Sequence, residues 1–398
     1  MCWIINSYLS VIPRKAMALL RRSGIQKMLI NEISYLDEIF ELEKRIKQTQ
    51  HVNVTNVSYW NSSEAYKRYM NNFISLDCPN DIFDYAYTYD LDKAQRKAIL
   101  QKLGVINSSL SMCLVTSSGT DTILNIINFL KVHNYKKIGL LDPSYFSVAQ
   151  ACKLYDIAFE NVPLSYTEGK YIIPINYILE QHFDVIWLTS PIYSTGVSYE
   201  PSQIEILRKL MLNKILIIAD ETLAFSNQML MSQLPISDYF FCICSPHKPL
   251  FMNRMKFSVL ICPQKHEDFL EQWIDVLSGS LPLSSLIAIQ HFLSDNFEEC
   301  MLATQRWYSN TLKEISDVIF QFPSIQCDLD EPAPYKTLYI QSLRKDLYNI
   351  DNIATLISKH YASYIPTTLG NHFGFRINLS LESNNLKSAL YRILKYYT

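Results

Sequence analysis

The stretch Ile215-Leu216-Ile217-Ile218-Ala219-Asp220-Glu221-Thr222 decides how the rest of the chain reads. Its first five residues are apolar and mostly β-branched, the signature of a strand buried on both faces, as in a parallel sheet. The run stops on two acids, placed where such a strand would open onto a crevice. A second apolar run, Tyr239-Phe240-Phe241-Cys242-Ile243-Cys244, ends on Ser245-Pro246-His247-Lys248. An acid at one strand end and a lysine just past the next bring opposite charges to one edge of a sheet.

That pairing is what pyridoxal phosphate (PLP) chemistry needs. A lysine amine holds the cofactor as a Schiff base, and a carboxylate keeps the pyridine nitrogen protonated so that the ring accepts electrons. By itself the pair also fits two ordinary strands with solvated ends, so the neighbouring stretches have to decide.

Upstream, Met112-Cys113-Leu114-Val115-Thr116 reads as a short strand, followed by Ser117-Ser118-Gly119-Thr120-Asp121 and a helix from Thr122 to about Val132. Strand, small polar turn and helix leave backbone N–H groups and a positive helix end facing one point, an anion site in waiting. The same residues would also serve as a plain helix N-cap. GxGxxG and P-loop patterns are absent, so neither a dinucleotide nor a nucleoside triphosphate is indicated. From Lys137 to Ala219 short apolar runs alternate with helical patterns, which predicts a parallel sheet with helices on both faces and ligands at the strand C-termini. The polar clusters fall there: Asp142-Pro143-Ser144-Tyr145, Ser190-Pro191-Ile192-Tyr193-Ser194-Thr195-Gly196, and Asp220.

Outside this block, residues 14–48 carry helical patterning and Val52–Tyr59 reads as a short strand. Lys256–Cys262 predicts another strand, with helices at Glu267–Leu277, 284–294 and 298–320. The C-terminal part reads as strand Tyr335–Gln341, helix Asn352–His360, strand Phe373–Leu379 and helix Asn384–Tyr397, a small α+β unit. The expected division is 1–75 (arm and part of a small domain), 76–295 (large cofactor-binding domain) and 296–398 (small domain).

Composition narrows the function classes. With 398 residues, 48% hydrophobic and 19% charged, the chain can bury a large core. Lys plus Arg (36) nearly balances Asp plus Glu (38), which argues against nucleic acid or an anionic membrane surface as the main partner. The nine cysteines are scattered and never spaced CxxC, so no disulfide framework or metal site is expected and a reducing cytosol fits. The apolar start, Cys2 to Ile12, has its basic residues after the run instead of before it, unlike a signal peptide; it reads as an arm. Only nine glycines are present, which makes glycine-based motifs harder to recognise.

Taken in order, these clusters resemble the class I/II aminotransferases of PLP fold type I, from about residue 50 to the C-terminus. The resemblance implies an α/β large domain, with a mostly parallel seven-stranded sheet between helices, plus a smaller α+β domain. Ser118, Gly119 and Thr120 look like the family's phosphate-binding turn. Tyr145 looks like the tyrosine that stacks on the pyridine ring, Asp220 like the carboxylate on its nitrogen, and Ser245 and Lys248 like its Ser-x-Ser-Lys. Phe375-Arg376-Ile377 is similar to the strand whose arginine clasps the substrate α-carboxylate. There are departures. Tyr193 stands where the family has an asparagine facing the cofactor's 3′-oxygen, and Leu223 where many members have a tyrosine. His247 replaces the second serine. Lys256 stands in the position of the phosphate arginine, with Arg254 two residues earlier. Tyr87, within Tyr85–Tyr89, matches a segment that reaches the phosphate of a neighbouring subunit, so a homodimer is implied.

The expected activity is therefore transfer of an amino group between an amino acid and a 2-oxo acid through a Lys248 Schiff base. Because the cofactor carries the carbanion step in many reactions, Tyr193 and Leu223 keep a lyase, decarboxylase, oxidase or cyclase open. A silent, binding-only relative is the third reading, opposed by the retained Lys248 and Asp220. Burial of Arg376 on an apolar strand is expected to be costly until a carboxylate arrives.

Overall fold

A computed structural model describes residues 25–76, 91, 93–106, 108–167, 170–225, 228–344, 350–369 and 372–397. Two compact units result. One ends at Val54 and takes in the stretch that closes at Tyr361; the other starts at Thr55 and resumes at Ala362. The first contains the helices Ile25–Gln50 and Ile350–Thr355. The second holds both sheets that follow.

Seven strands form the main sheet: β1 (Ser111–Thr116), β2 (Lys137–Asp142), β3 (Ala158–Pro163), β4 (Val185–Thr189), β5 (Leu216–Asp220), β6 (Phe240–Cys244) and β7 (Ser258–Pro263), in the order β1-β7-β6-β5-β4-β2-β3. Pairing is parallel from β6 through β3, while β7 runs antiparallel to both β1 and β6. β1 and β6 therefore share a direction, and the C-terminal ends of β1, β2, β4, β5 and β6 lie along one edge. Residues of β1, β4, β5 and β6 are buried throughout, as their unbroken apolar runs require. Only β3, at the rim, alternates with exposed positions. The core fills with Ile126, Trp187, Ile218, Phe241 and their neighbours.

A smaller antiparallel sheet orders β8 (Ile325–Gln326), β9 (Tyr335–Arg344), β11 (His372–Asn378) and β10 (Pro366–Leu369). In it Thr337 lies opposite Arg376 and Tyr335 opposite Asn378. Helices Asn296–Ile319 and Ser383–Tyr397 each bury one side, the latter through Leu386, Leu390 and Ile393. The expected strand at Val52–Tyr59 shortens to Thr55–Asn56, which pairs with Ala362–Ser363. Among the described residues no helix is long and apolar enough to cross a membrane.

Candidate active site

The sheet edge gathers most of the sequence-predicted residues. At the end of β1, Ser118 caps the helix Gly119–Val132, its side chain accepting from the Asp121 N–H at 3.3 Å. A relay of hydroxyls fixes this turn to the sheet. Thr116 Oγ1 and Thr122 Oγ1 lie 2.7 Å apart, Thr122 Oγ1 donates to Ser258 Oγ at 3.0 Å, and Ser258 Oγ donates to the Cys244 carbonyl at 2.9 Å. The turn at β1 is thus held against the end of β6. A side chain at Gly119 would meet Thr222 at 3.1 Å and the Ser245 hydroxyl at 3.5 Å, so the helix N-terminus, the residue after Glu221 and the residue after Cys244 converge there. Thr120 lies on the exposed side of the turn.

Asp220 ends β5, about 1% exposed. Its Oδ1 accepts the Thr222 N–H at 3.1 Å, and burial pushes its carboxyl above the usual range, with the Thr222 hydrogen bonds opposing. Among the described residues no cation pairs with it. Such a buried carboxylate is costly until one arrives. Glu221, equally buried, is closed off instead: its carboxylate accepts from the backbone N–H of Leu230 and, at 3.2 Å, of Met231.

After β6 the chain turns tightly, with the Lys248 N–H on the Ser245 carbonyl at 2.9 Å and the Phe251 N–H on the Lys248 carbonyl at 3.1 Å. This presents Lys248, whose Nζ donates to Asn253 Oδ1 at 3.2 Å. Burial, with Lys256 and Arg376 nearby, lowers its amine to about 8. Lys256 is half-buried and its amine is also lowered by burial, whereas Arg254 is exposed. The Ser245 hydroxyl is buried without a partner. A second buried lysine, Lys336, faces Asp328 at 3.6 Å, without a hydrogen bond among the described residues.

Tyr145 precedes the helix Phe146–Leu154, with its ring 5.9 Å from that of Tyr193. Burial pushes the Tyr193 phenol up, while Arg376 pulls it down. The segment 190–196 then reaches the small sheet. Thr337 Oγ1 donates to the Ser194 carbonyl at 2.9 Å. At Gly196 φ is +69°, and a side chain there would strike Ala333 and the Tyr335 carbonyl; only glycine suits such a crossing.

Arg376 is 4% exposed. Its Nε and Nη2 donate to the Ser58 carbonyl at 3.3 and 2.8 Å, and its guanidinium carbon lies 3.6 Å from the Trp60 ring centroid and 4.6 Å from that of Tyr335. Ser58 Oγ donates back to the Arg376 carbonyl at 2.5 Å. Sequence reading missed Ser58, Trp60 and Asn253, and it missed His291, whose Nδ1 lies 3.0 Å from His247 Nε2. His247 is fully buried. Burial and its neighbour His291 push it down to about 3, so it is a neutral packing partner behind Lys248. Tyr87 lies outside the described residues.

This fold has known counterparts. Residues 80–227 match the family model for aminotransferase class I and II. The chain has the fold of these class I and II aminotransferases. It superposes on a methionine aminotransferase, YbdL, from Escherichia coli with a TM-score of 0.70 at 15% identity, covering 90% of this chain and 96% of that one. Against an aspartate aminotransferase from Thermotoga maritima the TM-score is 0.71 at 14% identity, with 91% and 96% covered. Against the PLP-bound C-S lyase from Staphylococcus hominis complexed with L-cycloserine it is 0.66 at 14% identity, with 87% and 89% covered. No curated protein sequence matches the chain. Aminotransferases and a lyase share this aminotransferase fold, so the fold by itself leaves the reaction open.

The residues present suit PLP. Asp220 is a buried acid that lacks a cation among the described residues, and a protonated pyridine nitrogen would supply one. Lys248 is an amine made easier to deprotonate. The Gly119 turn brings the helix N-terminus to the Ser245 hydroxyl, which is buried without a partner among the described residues, and Lys256 adds a positive charge for a phosphate.

Proposed function

We propose that this chain is a PLP-dependent aminotransferase moving an amino group between an α-amino acid and a 2-oxo acid, working as a homodimer. The observation that carries this reading is the pair at the sheet edge. Asp220 and Lys248 end neighbouring strands, both largely withdrawn from water and neither bearing an ion pair among the described residues. When bound, PLP supplies an electron sink for the carbanion left as a substrate Cα loses its proton.

The chain's own residues do the rest. Ser118, Gly119, Thr120, Ser245 and Lys256 would hold the phosphate, with Lys256 as a point charge. Asp220 would keep a proton on the pyridine nitrogen and stabilise the charge that develops in the transition state. Tyr145 would pack against the ring, and Tyr193 would donate to the 3′-oxygen. Lys248, lowered to about 8, is near enough to neutral to take the Cα proton as a general base. Arg376 would fix the substrate carboxylate, and so the direction of the Cα–H bond.

Borohydride reduction followed by peptide mapping should place the cofactor on Lys248; a label on Lys336 or any other lysine would overturn the assignment. Incubating the reduced-free enzyme with an amino acid and a labelled 2-oxo acid then separates the reactions. Transamination returns labelled amino acid, whereas release of ammonia without labelled amino acid identifies the lyase alternative.

A further inference from the structure

The guanidinium of Arg376 is enclosed in an unusual way for a group meant to meet a ligand. Trp60 and Tyr335 pack against the guanidinium, with ring centroids 3.6 and 4.6 Å from its carbon. The Ser58 carbonyl occupies the edge formed by Nε and Nη2. With Nε and Nη2 taken, a carboxylate reaches Arg376 from the Nη1 side, and whatever it is attached to lies beside aromatic surface. That surface continues. The strand that carries Tyr335 abuts the segment of Tyr193, with Gly196 against the Tyr335 carbonyl and Thr337 donating to the Ser194 carbonyl, and the rings of Tyr145 and Tyr193 are 5.9 Å apart. A second carboxylate in this place would be desolvated against rings, a costly arrangement. An aromatic or large apolar side chain would stack there favourably. The other cation acting on Lys248 is Lys256, which the phosphate uses.

We propose that Trp60 is a specificity-determining residue of the Arg376 site, and that with Tyr335, Tyr145 and Tyr193 it selects α-amino acids with an aromatic or large apolar side chain over dicarboxylic ones. This selectivity rests on Arg376 taking the substrate carboxylate, as in the proposed function.

Calorimetric titration of the holoenzyme with 3-phenylpropionate, propionate and succinate tests it without turnover, since none carries an amine to react. In the parent protein 3-phenylpropionate should bind about tenfold or more tighter than either of the others, the usual gain for filling an apolar site with a fitting group. Trp60→Leu should bring 3-phenylpropionate to within about threefold of propionate, and the conservative Trp60→Phe should keep the preference, because a stacking ring is retained. Succinate binding tightest in the parent protein, or Trp60→Leu weakening all three ligands alike, would overturn the proposal. Should Trp60→Leu not fold, the parent ranking and Trp60→Phe decide. Arg376→Lys leaving all three affinities unchanged would instead overturn the carboxylate reading beneath it. Weakening of all three by Arg376→Lys, with loss of only the phenyl preference in Trp60→Leu, supports both.

Discussion

The two charged centres of this molecule are stabilised in opposite ways. At the edge of the seven-stranded sheet, Asp220 has only hydrogen bonds from Thr222 and Lys248 only one side-chain amide, and burial above all displaces both from their ordinary values. In the small sheet Arg376 is buried too, yet it already has a carbonyl on two of its nitrogens and two aromatic rings packed against its guanidinium. A stacked guanidinium is attracted to each ring by roughly 0.5–2 kcal/mol, more when desolvated. The expectation that burial of Arg376 is costly until a carboxylate arrives is thus softened by Ser58, Trp60 and Tyr335. The sheet edge is held in a state that calls for a partner; the clamp is complete before one comes. Losing a charge should therefore cost function at the sheet edge and selectivity at the clamp.

The largest effect should come from the sheet edge. Asp220→Asn keeps size and the Thr222 hydrogen bond but removes the charge, so PLP should remain bound while kcat falls about 10²–10³-fold, the scale for losing one preorganised electrostatic group. Cofactor content from absorbance after gel filtration, alongside turnover, checks this. Undiminished turnover would place the pyridine partner elsewhere.

A smaller, more selective loss should follow Arg376→Lys. The ammonium keeps the charge but loses the planar fork and most of the stacking on Trp60 and Tyr335. KM for α-amino acids should rise about tenfold to a hundredfold, the equivalent of one charge-assisted hydrogen bond. Amines lacking a carboxylate should react as with the parent. Equal losses on both substrate types would show a structural role instead and erase the contrast between the two centres.

The same contrast governs what could be read from the sequence. Each sheet-edge residue follows its strand within four positions: Ser118 after Thr116, Asp220 at the end of β5, Lys248 after Cys244. Local pattern therefore locates them, and the strands fall within a residue or two of their apolar runs. The antiparallel direction of β7 is not legible, because an isolated apolar run carries no sign of its orientation. The clamp was half visible. Arg376 stands out on its strand, but its acceptor Ser58 lies 318 residues earlier, beyond any periodicity. The short strand expected at Val52–Tyr59 is cut to Thr55–Asn56 for the same reason: the Ser58 carbonyl goes to a guanidinium instead of a neighbouring strand. Trp60 had no signal at all, since one aromatic after a polar turn is commonplace.

The smallest predicted effect sharpens the picture within the sheet edge, where two adjacent acids differ in how they are closed. Asp220 is left open to a cation, whereas Glu221 is sealed by the N–H groups of Leu230 and Met231. Even so, burial outweighs those bonds and raises the Glu221 carboxyl from 4.5 to about 8. The folded protein then keeps the Glu221 proton across that interval while the unfolded chain loses it. More protons are bound in the folded state, so the contribution of Glu221 to stability is full below 4.5 and is lost as pH rises to about 8. The slope cannot exceed about 1.4 kcal/mol per pH unit for one group. Glu221→Gln stays neutral at every pH and keeps one acceptor for the Leu230–Met231 N–H pair. Its unfolding free energy in urea, taken at steps through this window, should fall less with pH than the parent's. Asp220 is displaced in the same direction and acts on Glu221, so the pair is compared again on an Asp220→Asn background, where the remaining slope difference belongs to Glu221. Identical slopes would mean that Glu221 is ionised in the folded protein, its charge carried by the two N–H groups after all.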